Sequence, residues 1–428
     1  MKLARWLTNL TVILLSASLA QAEPAREITL DQALSLARKA NRNLVAGRAR
    51  LEQARANLDS AYAVLFPTIA AQGKFARNNM EFKFPSTGGQ TLTIQPTNQL
   101  DGVISFSQPL IVPAAYPGLA AVKAGFRSAE AEYEVSETTV LFGVAQAFYA
   151  AAIADEIVVA RQSNIDVATA TLKNAQTRFT AGAVTKVDMA RAEMALVRAE
   201  QANREARQGR DQAYRALGTL IQTDGSGLVA RPMDTSLMNV STDVDAALRL
   251  RPEFRALTSA VDSARAYGRA HAWRWAPSLS LFGNARVFNY DNFARQNHAW
   301  AVGGQLDWVL YDGGTRDAQR HAAHALADES DARAAAMADA IRDELANARG
   351  TLGTKQSAHT AAERQVDLAR ETLDLVRTQY EAGHTAQIDL LQAQDSLVAA
   401  REAVAQAHFE LALADLSLRR AAGTFPGR

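Results

Sequence analysis

The sequence predicts a mainly α protein with a small transmembrane β portion and a two-fold internal repeat. In this reading, long α-helical hairpins build a barrel of helices, and each chain contributes four strands to a trimeric 12-stranded β-barrel. Three observations predict it. First, a motif occurs twice: Arg178–Glu193 reads RFTAGAVTKVDMARAE and Gln379–Gln394 reads QYEAGHTAQIDLLQAQ, 201 residues apart without a gap. Second, none of the 11 prolines falls between 118 and 231 or between 278 and 425, and these zones are rich in Ala, Arg, Glu, Gln and Leu. Proline costs a helix interior about 3 kcal/mol, so such zones can hold very long helices. Third, each half carries a pair of alternating apolar and polar segments of bilayer-crossing length.

The N-terminus reads as a secretory signal. Lys2 and Arg5 form its basic region and Leu7–Leu19 its apolar core, and Ala20-Gln21-Ala22 fits the small-x-small rule, so cleavage is expected between Ala22 and Glu23. The alternative is a membrane-anchoring helix. No later segment is expected to supply the roughly 18 apolar residues of a spanning helix. Lys+Arg number 46 against 45 Asp+Glu, which gives no electrostatic case for a nucleic-acid partner. The absence of cysteine excludes disulfides, thiolate metal sites and cysteine nucleophiles.

The elements follow in matched order. Leu30–Leu44 aligns with Val244–Leu257; Thr29 with Gln32 reads as a capping box, and Pro252 suits a first helical position. A second helix is expected over 43–65, ended by Phe66-Pro67, and its counterpart over 253–275, ended by Ala276-Pro277. Strands are expected at Thr68–Arg77 and Leu100–Gln108 around a polar loop, Asn78–Asn98, and at Ser278–Asn289 and His298–Leu310. Leu279, Leu281, Gly283, Ala285 and Val287 share one face, as do Trp300, Val302, Gly304, Leu306, Trp308 and Leu310. An ordinary half-buried sheet is the alternative to a membrane barrel. Trp273, Trp275, Trp300 and Trp308 cluster around the second strand pair, as membrane-interface aromatics would. A tryptophan core is the other reading.

Four strands cannot close alone, and open sheet edges are not viable in lipid. Three copies give twelve strands. Helix lengths agree with a long tube. The long helices, 118–180 and 315–381, each span about 95–100 Å. The shorter helices of each half (43–65 with 185–219, and 253–275 with 385–421) together span about 90 Å, as if stacked end to end. The chain thus divides into a signal at 1–22, a first repeat at 23–220 with strand hairpin near 68–108 and tip near 181–186, and a linker or equatorial belt at 221–243. A second repeat follows at 244–422, with strand hairpin near 278–310 and tip near 382–387, and then a tail at 423–428.

The signal, the repeat, the paired strands, the SQPLIV and DWVLYDGGTR segments and the tip motifs, in this order and spacing, resemble the TolC-like outer-membrane efflux proteins over residues 28–422. The resemblance implies a homotrimer in outer-membrane lipid with a periplasmic helical tunnel. It implies an exit duct for tripartite efflux or type I secretion, docked on a periplasmic membrane-fusion adaptor and an inner-membrane pump of the RND or ABC type. It also implies that the tips close the entrance. Asp188 and Asp389 match the family's constriction carboxylates, and Tyr380 is retained. Gln392 stands where some relatives carry a second acid, and Thr385 where they carry a latching Arg.

Six carboxylates around one axis would repel, by about 3 kcal/mol for a pair ~6 Å apart at effective dielectric ~20. They would attract cations and raise their own pKa values. Within the motifs only Lys186 is read as offsetting them. The alternative is a solvated Asp favoured by a helix N-terminus. Gly182 and Gly383 are read as left-handed helix ends, and the turns, with Val184, Thr185, Lys186 and Thr385, as adaptor-docking surfaces. No catalytic constellation, cofactor or metal site is expected; His321 and His324 share a helix face without completing a ligand set. The competing function class is an exported coiled-coil adaptor or structural protein with no channel.

Overall fold

The computed structural model describes residues 26–85, 91–231, 243–290 and 296–425. The expected cleavage site at Ala22 and Glu23 lies outside them, as does part of the linker, 232–242. The first half contains β1 (Arg26–Ile28), α1 (Leu30–Ala40), α2 (Arg42–Ala63), β2 (Thr68–Arg77), β3 (Phe82–Pro85), β4 (Thr91–Gln95), β5 (Asn98–Ile111), α3 (Ala115–Thr180) and α4 (Lys186–Ile221). After β6 (Leu228–Ala230) come α5 (Val244–Leu250), α6 (Pro252–Trp273), β7 (Ser278–Phe288), β8 (His298–Asp307), α7 (Thr315–Glu381) and α8 (Gln387–Ala421). α3 and α7 are 66 and 67 residues long, each about 100 Å of continuous helix. The chain forms two compact units, and both halves contribute to each.

One unit comprises the described residues of 42–140, 238–353 and 414–428. Its sheet has the order β2-β5-β7-β8, and every pairing is antiparallel. The register puts Ile69 opposite Phe106, Ile104 opposite Ala285, Leu279 opposite Leu306 and Ala285 opposite Trp300. Period-2 alternation then makes one face apolar across all four strands. Ile69, Phe75, Ile104, Val287, Trp300, Val302 and Leu306 all lie exposed on it. The opposite face carries Gln72, Lys74, Asp101, Ser105, Asn284, Gln305 and Asp307 in matching register. Strands of 10 to 14 residues run about 33 Å or more, enough to cross a hydrocarbon layer when tilted. Gly303 faces the Phe282 ring across the β7–β8 pair, where an added Cβ would come within 3.2 Å. The expected polar loop 78–98 is not all loop: β3 and β4 pair as a short antiparallel hairpin within it, with Phe84 opposite Leu92 and Phe82 opposite Gln95.

The helices leaving this sheet are anchored by the DGGTR segment. Gly313 and Gly314 take φ +72° and +85°, turning the chain into α7. The Arg316 side chain is 2% exposed. Its Nη1 donates to the carbonyls of Val309 (2.7 Å) and Arg274 (3.1 Å), its Nε lies 2.9 Å from Asp312, and its guanidinium stacks 3.8 Å from the Trp275 ring centroid. Trp308 Nε1 donates to the Trp275 carbonyl at 3.1 Å. One arginine thus joins the ends of α6 and of the last strand to the start of α7. Farther along, Ala247, Ile341, Leu345, Leu418, Ala421 and Ala422 form a buried apolar cluster.

The second unit comprises the described residues of 1–41, 141–237 and 354–413. α1 opens with the expected capping box: Thr29 Oγ1 accepts from Gln32 N at 3.3 Å and Gln32 Oε1 from Thr29 N at 3.1 Å. β1 pairs in parallel with β6, which lies within the linker. Tyr214 holds that strand: its hydroxyl accepts from Ala230 N at 2.7 Å and donates to Asp155, which also pairs with Arg210. Burial and the Asp155 carboxylate push the Tyr214 phenol up to about 12. Leu141, Val144, Ala145, Phe148 and Ala151 of α3 are buried here. This corrects one expectation: α3 does contain an 18-residue window apolar enough, by length and composition, to cross a membrane. A third of that window is buried inside the chain.

Candidate functional site at the helical tips

Both tips are built the same way. α3 ends in a left-handed Gly182 (φ +73°), with Gly182 N donating to Phe179 O (2.9 Å) and Ala183 N to Arg178 O (2.8 Å). α7 ends in Gly383 (φ +77°), with Gly383 N donating to Tyr380 O (3.1 Å) and His384 N to Gln379 O (2.8 Å). These are paired Schellman turns, which satisfy the last helix carbonyls and need a residue without a Cβ. Both glycines are exposed, and an added Cβ would meet nothing within 4 Å. Their requirement is conformational, not steric.

The helices that leave the turns start differently. α4 has Thr185 as N-cap in a full capping box, with Thr185 Oγ1 accepting from Asp188 N at 3.3 Å and Asp188 Oδ2 accepting from Thr185 N at 3.0 Å and from its hydroxyl at 2.8 Å. α8 has Ala386 at the matching position, with no hydroxyl to offer. Asp389 Oδ2 accepts instead from Ala386 N (3.2 Å) and from the Thr385 hydroxyl (2.8 Å). Both aspartates therefore help close their own helix starts. In this chain the Thr185 hydrogen bonds hold Asp188 below its ordinary value of 3.8, with a smaller contribution from Arg191. Within one chain, local donors outweigh the slight desolvation of Asp188; the rise expected from a ring of six carboxylates belongs to the trimer. Lys186 is also not the sole offset: Arg191 Nη1 lies 3.8 Å from Asp188 Oδ1. The second motif contains no lysine or arginine, so Asp389 has no cation within its own motif.

The structure brings together two residues whose meeting was not expected. Arg178, in the last turn of α3, stacks over the Tyr380 ring at 4.7 Å, and its Nη1 donates to Tyr380 O at 3.4 Å. Tyr380 is buried. The signal for Arg178 lay in the repeat itself, since the matching residue of the second copy is Gln379. Gln387, at the start of α8, was also missed; it is buried, and neither amide atom has a hydrogen-bond partner. Val184 and Thr385 are half-buried, while Thr185, Lys186 and Gln392 are exposed. In the sheet-bearing unit Trp273, Trp275, Trp300 and Trp308 are all exposed, between 45% and 75%, which argues against a tryptophan core. Among the described residues no group of three His, Cys, Asp or Glu side chains could hold a metal ion.

A bilayer-length sheet, apolar on one face and unclosed at both edges, together with helical hairpins of about 100 Å, defines a membrane channel subunit carried on a helical duct. The chain belongs to the outer membrane efflux protein family, whose model matches residues 33–222 and 244–424. It is 26% identical to the pyoverdine export outer membrane protein OpmQ of Pseudomonas aeruginosa, over 92% of this chain and 85% of the relative. It is 25% identical to nodulation protein T of Rhizobium leguminosarum bv. trifolii, over 84% and 77%. Its fold is similar to the open state of the Neisseria gonorrhoeae MtrE outer membrane channel, with TM-score 0.75 and 21% identity over 92% of this chain and 88% of that one. It is also similar to the Campylobacter jejuni CmeC outer membrane channel, with TM-score 0.78 and 19% identity over 92% and 85%.

The protein is thus an outer-membrane channel with its helical part in the periplasm, the exit duct of a tripartite export system. It works as a trimer with a periplasmic adaptor and an inner-membrane pump, and it is not an enzyme. The non-channel adaptor reading is set aside by the family assignment.

Proposed function

We propose that the two hairpin tips of each chain form the periplasmic entrance of the duct and its docking surface for the adaptor. The observation that carries this reading is the duplicated Schellman turn at Gly182 and Gly383, exposed in both copies and followed in both by an aspartate six residues on. In a trimer this makes six similar turns. Asp188, Asp389, Gln392 and Tyr380 line the constriction. Gly182, Val184, Thr185, Lys186, Gly383 and Thr385 meet the adaptor. Asp389 supplies more of the entrance field than Asp188, which Arg191 partly neutralises.

The rest of the proposal concerns the chain's division and its surroundings. Residues 1–22 are a signal removed between Ala22 and Glu23. The repeats at 23–220 and 244–422 are joined by an equatorial belt at 221–243 and followed by a tail at 423–428. The apolar sheet face contacts outer-membrane lipid, and the four tryptophans sit at its interface. The pump is of the RND or ABC type. Relatives include OpmQ, named for pyoverdine export, and AprF of Pseudomonas aeruginosa, named for alkaline protease secretion. The absence of native cysteine makes the test direct. A single cysteine at Val184 or Thr385, carrying a short photocrosslinker, is expected to capture the adaptor in cells, and the pump is expected to co-purify with that product. Capture from a control position on the sheet but not from the tips would overturn the docking assignment.

A further inference from the structure

We infer that Arg178 is a closing residue of the entrance: its guanidinium clasps Tyr380 and so ties the first hairpin to the second within one chain. This rests on the reading that the tips form the entrance. The two hairpins are joined by a series of side-chain contacts that runs toward the turns. Arg161 pairs with Glu402 (Nη2 to Oε2, 2.8 Å), Arg401 Nη1 donates to Ser163 Oγ (3.5 Å), and Gln394 Nε2 donates to Thr171 Oγ1 (3.1 Å). Arg178 over Tyr380 lies nearest the turns, with both a ring contact and a donated hydrogen bond.

Neither tip aspartate supplies such a tie. Asp188 is engaged by Thr185 and Arg191, and Asp389 by Thr385 and Ala386, all within their own turns. The clasp is also one-way. The converse pair would set Gln379 on Phe179, and a neutral amide gives no cation–π attraction. Each chain therefore holds one clasp, and a trimer three. Tyr380 is 6% exposed, so its ring is a fixed seat and the half-exposed Arg178 is the part free to leave. A cation–π contact at a partly exposed site shifts an equilibrium by about fivefold.

The test is the closed-to-open ratio of reconstituted trimers in planar bilayers, with trimer integrity checked by heat-resistant migration. R178M is expected to raise the open fraction by about fivefold for each chain that must release. R178K, which keeps the cation but not the planar fork, is expected to fall between R178M and wild type. The R178M/Y380L double variant should open by less than the two single effects combined, because both remove the ring contact while only R178M removes the hydrogen bond to the residue 380 carbonyl. An engineered R178C/Y380C pair in this cysteine-free chain, bridged by a reducible bifunctional thiol crosslinker that spans the length of the lost arginine side chain, is expected to hold the trimer shut and to release it when the crosslinker is reduced. Wild-type gating in R178M, or additive effects in the double variant, would overturn the clasp. The entrance reading itself is tested separately by Asp389→Asn: unchanged ion preference there sinks that reading whatever R178M does.

Discussion

Replacing Gly182 and Gly383 together by Val isolates the docking surface from the fold. Both glycines hold positive φ, +73° and +77°, where an L-residue costs about 1–2 kcal/mol and a β-branched one is a clear outlier. No packing penalty adds to this, since a Cβ at either site meets nothing within 4 Å. Each turn also has two Schellman hydrogen bonds at 2.8–3.1 Å, worth about 1 kcal/mol apiece when broken. The expected cost is about 3–4 kcal/mol per turn, relieved by rearranging the turn and leaving the 66- and 67-residue helices in place. The assay combines export by cells, crosslinking from a cysteine at Val184 and trimer migration. The double variant should remain a heat-resistant trimer, while crosslinking to the adaptor and export fall at least about tenfold, the factor that 1.4 kcal/mol gives. Gly→Ala at both sites should lie between. Wild-type crosslinking and export in the valine variant would show that the turn conformation is not what the adaptor reads.

Four other outcomes follow from the geometry. Asp389→Asn should reduce cation preference in bilayers more than Asp188→Asn, and equal effects would contradict the Arg191 offset. Because Asp188 is held below 3.8, its charge and cap persist above that value and are lost only as pH falls through its depressed pKa, so acidification from pH 7 to 5 should leave its share intact. Arg316→Met removes a 2%-exposed cation from two carbonyls, the Trp275 ring and Asp312; a loss of roughly 3–5 kcal/mol should lower the melting temperature of the trimer, and an unchanged melt would refute the joint. Val302→Arg, on the apolar sheet face, should cost about 2–4 kcal/mol near the bilayer midplane in lipid refolding, whereas Asn284→Arg on the opposite face should cost far less; equal costs would reverse the assignment of faces.

Much of this was legible in residue order because it rests on local chemistry. Pro67 and Pro277 stop helices, Thr29 with Gln32 caps one, and period-2 alternation at Leu279–Val287 places an apolar face. Gly182 and Gly383 mark left-handed helix ends from their context alone. What stayed hidden depends on partners distant in sequence or on competition between neighbours. Pro85 and the polar surroundings of Phe82 and Phe84 masked a short edge hairpin, since proline within a run argues against a strand. The lowered Asp188 value required knowing that Thr185 would turn both donors onto it. Arg178 and Tyr380 are 202 residues apart in the chain, and only the folded hairpins put one on the other. The buried state of Arg316 likewise depends on Trp275 and Val309, which flank it from separate elements.

Single-trimer conductance is the most direct measurement of the duct itself. Purified protein that migrates as a heat-dissociable trimer should insert into planar bilayers and produce discrete, cation-preferring ion-conducting steps. A water-soluble monomer that leaves the bilayer resistance unchanged would contradict a channel built from three copies of this four-stranded sheet.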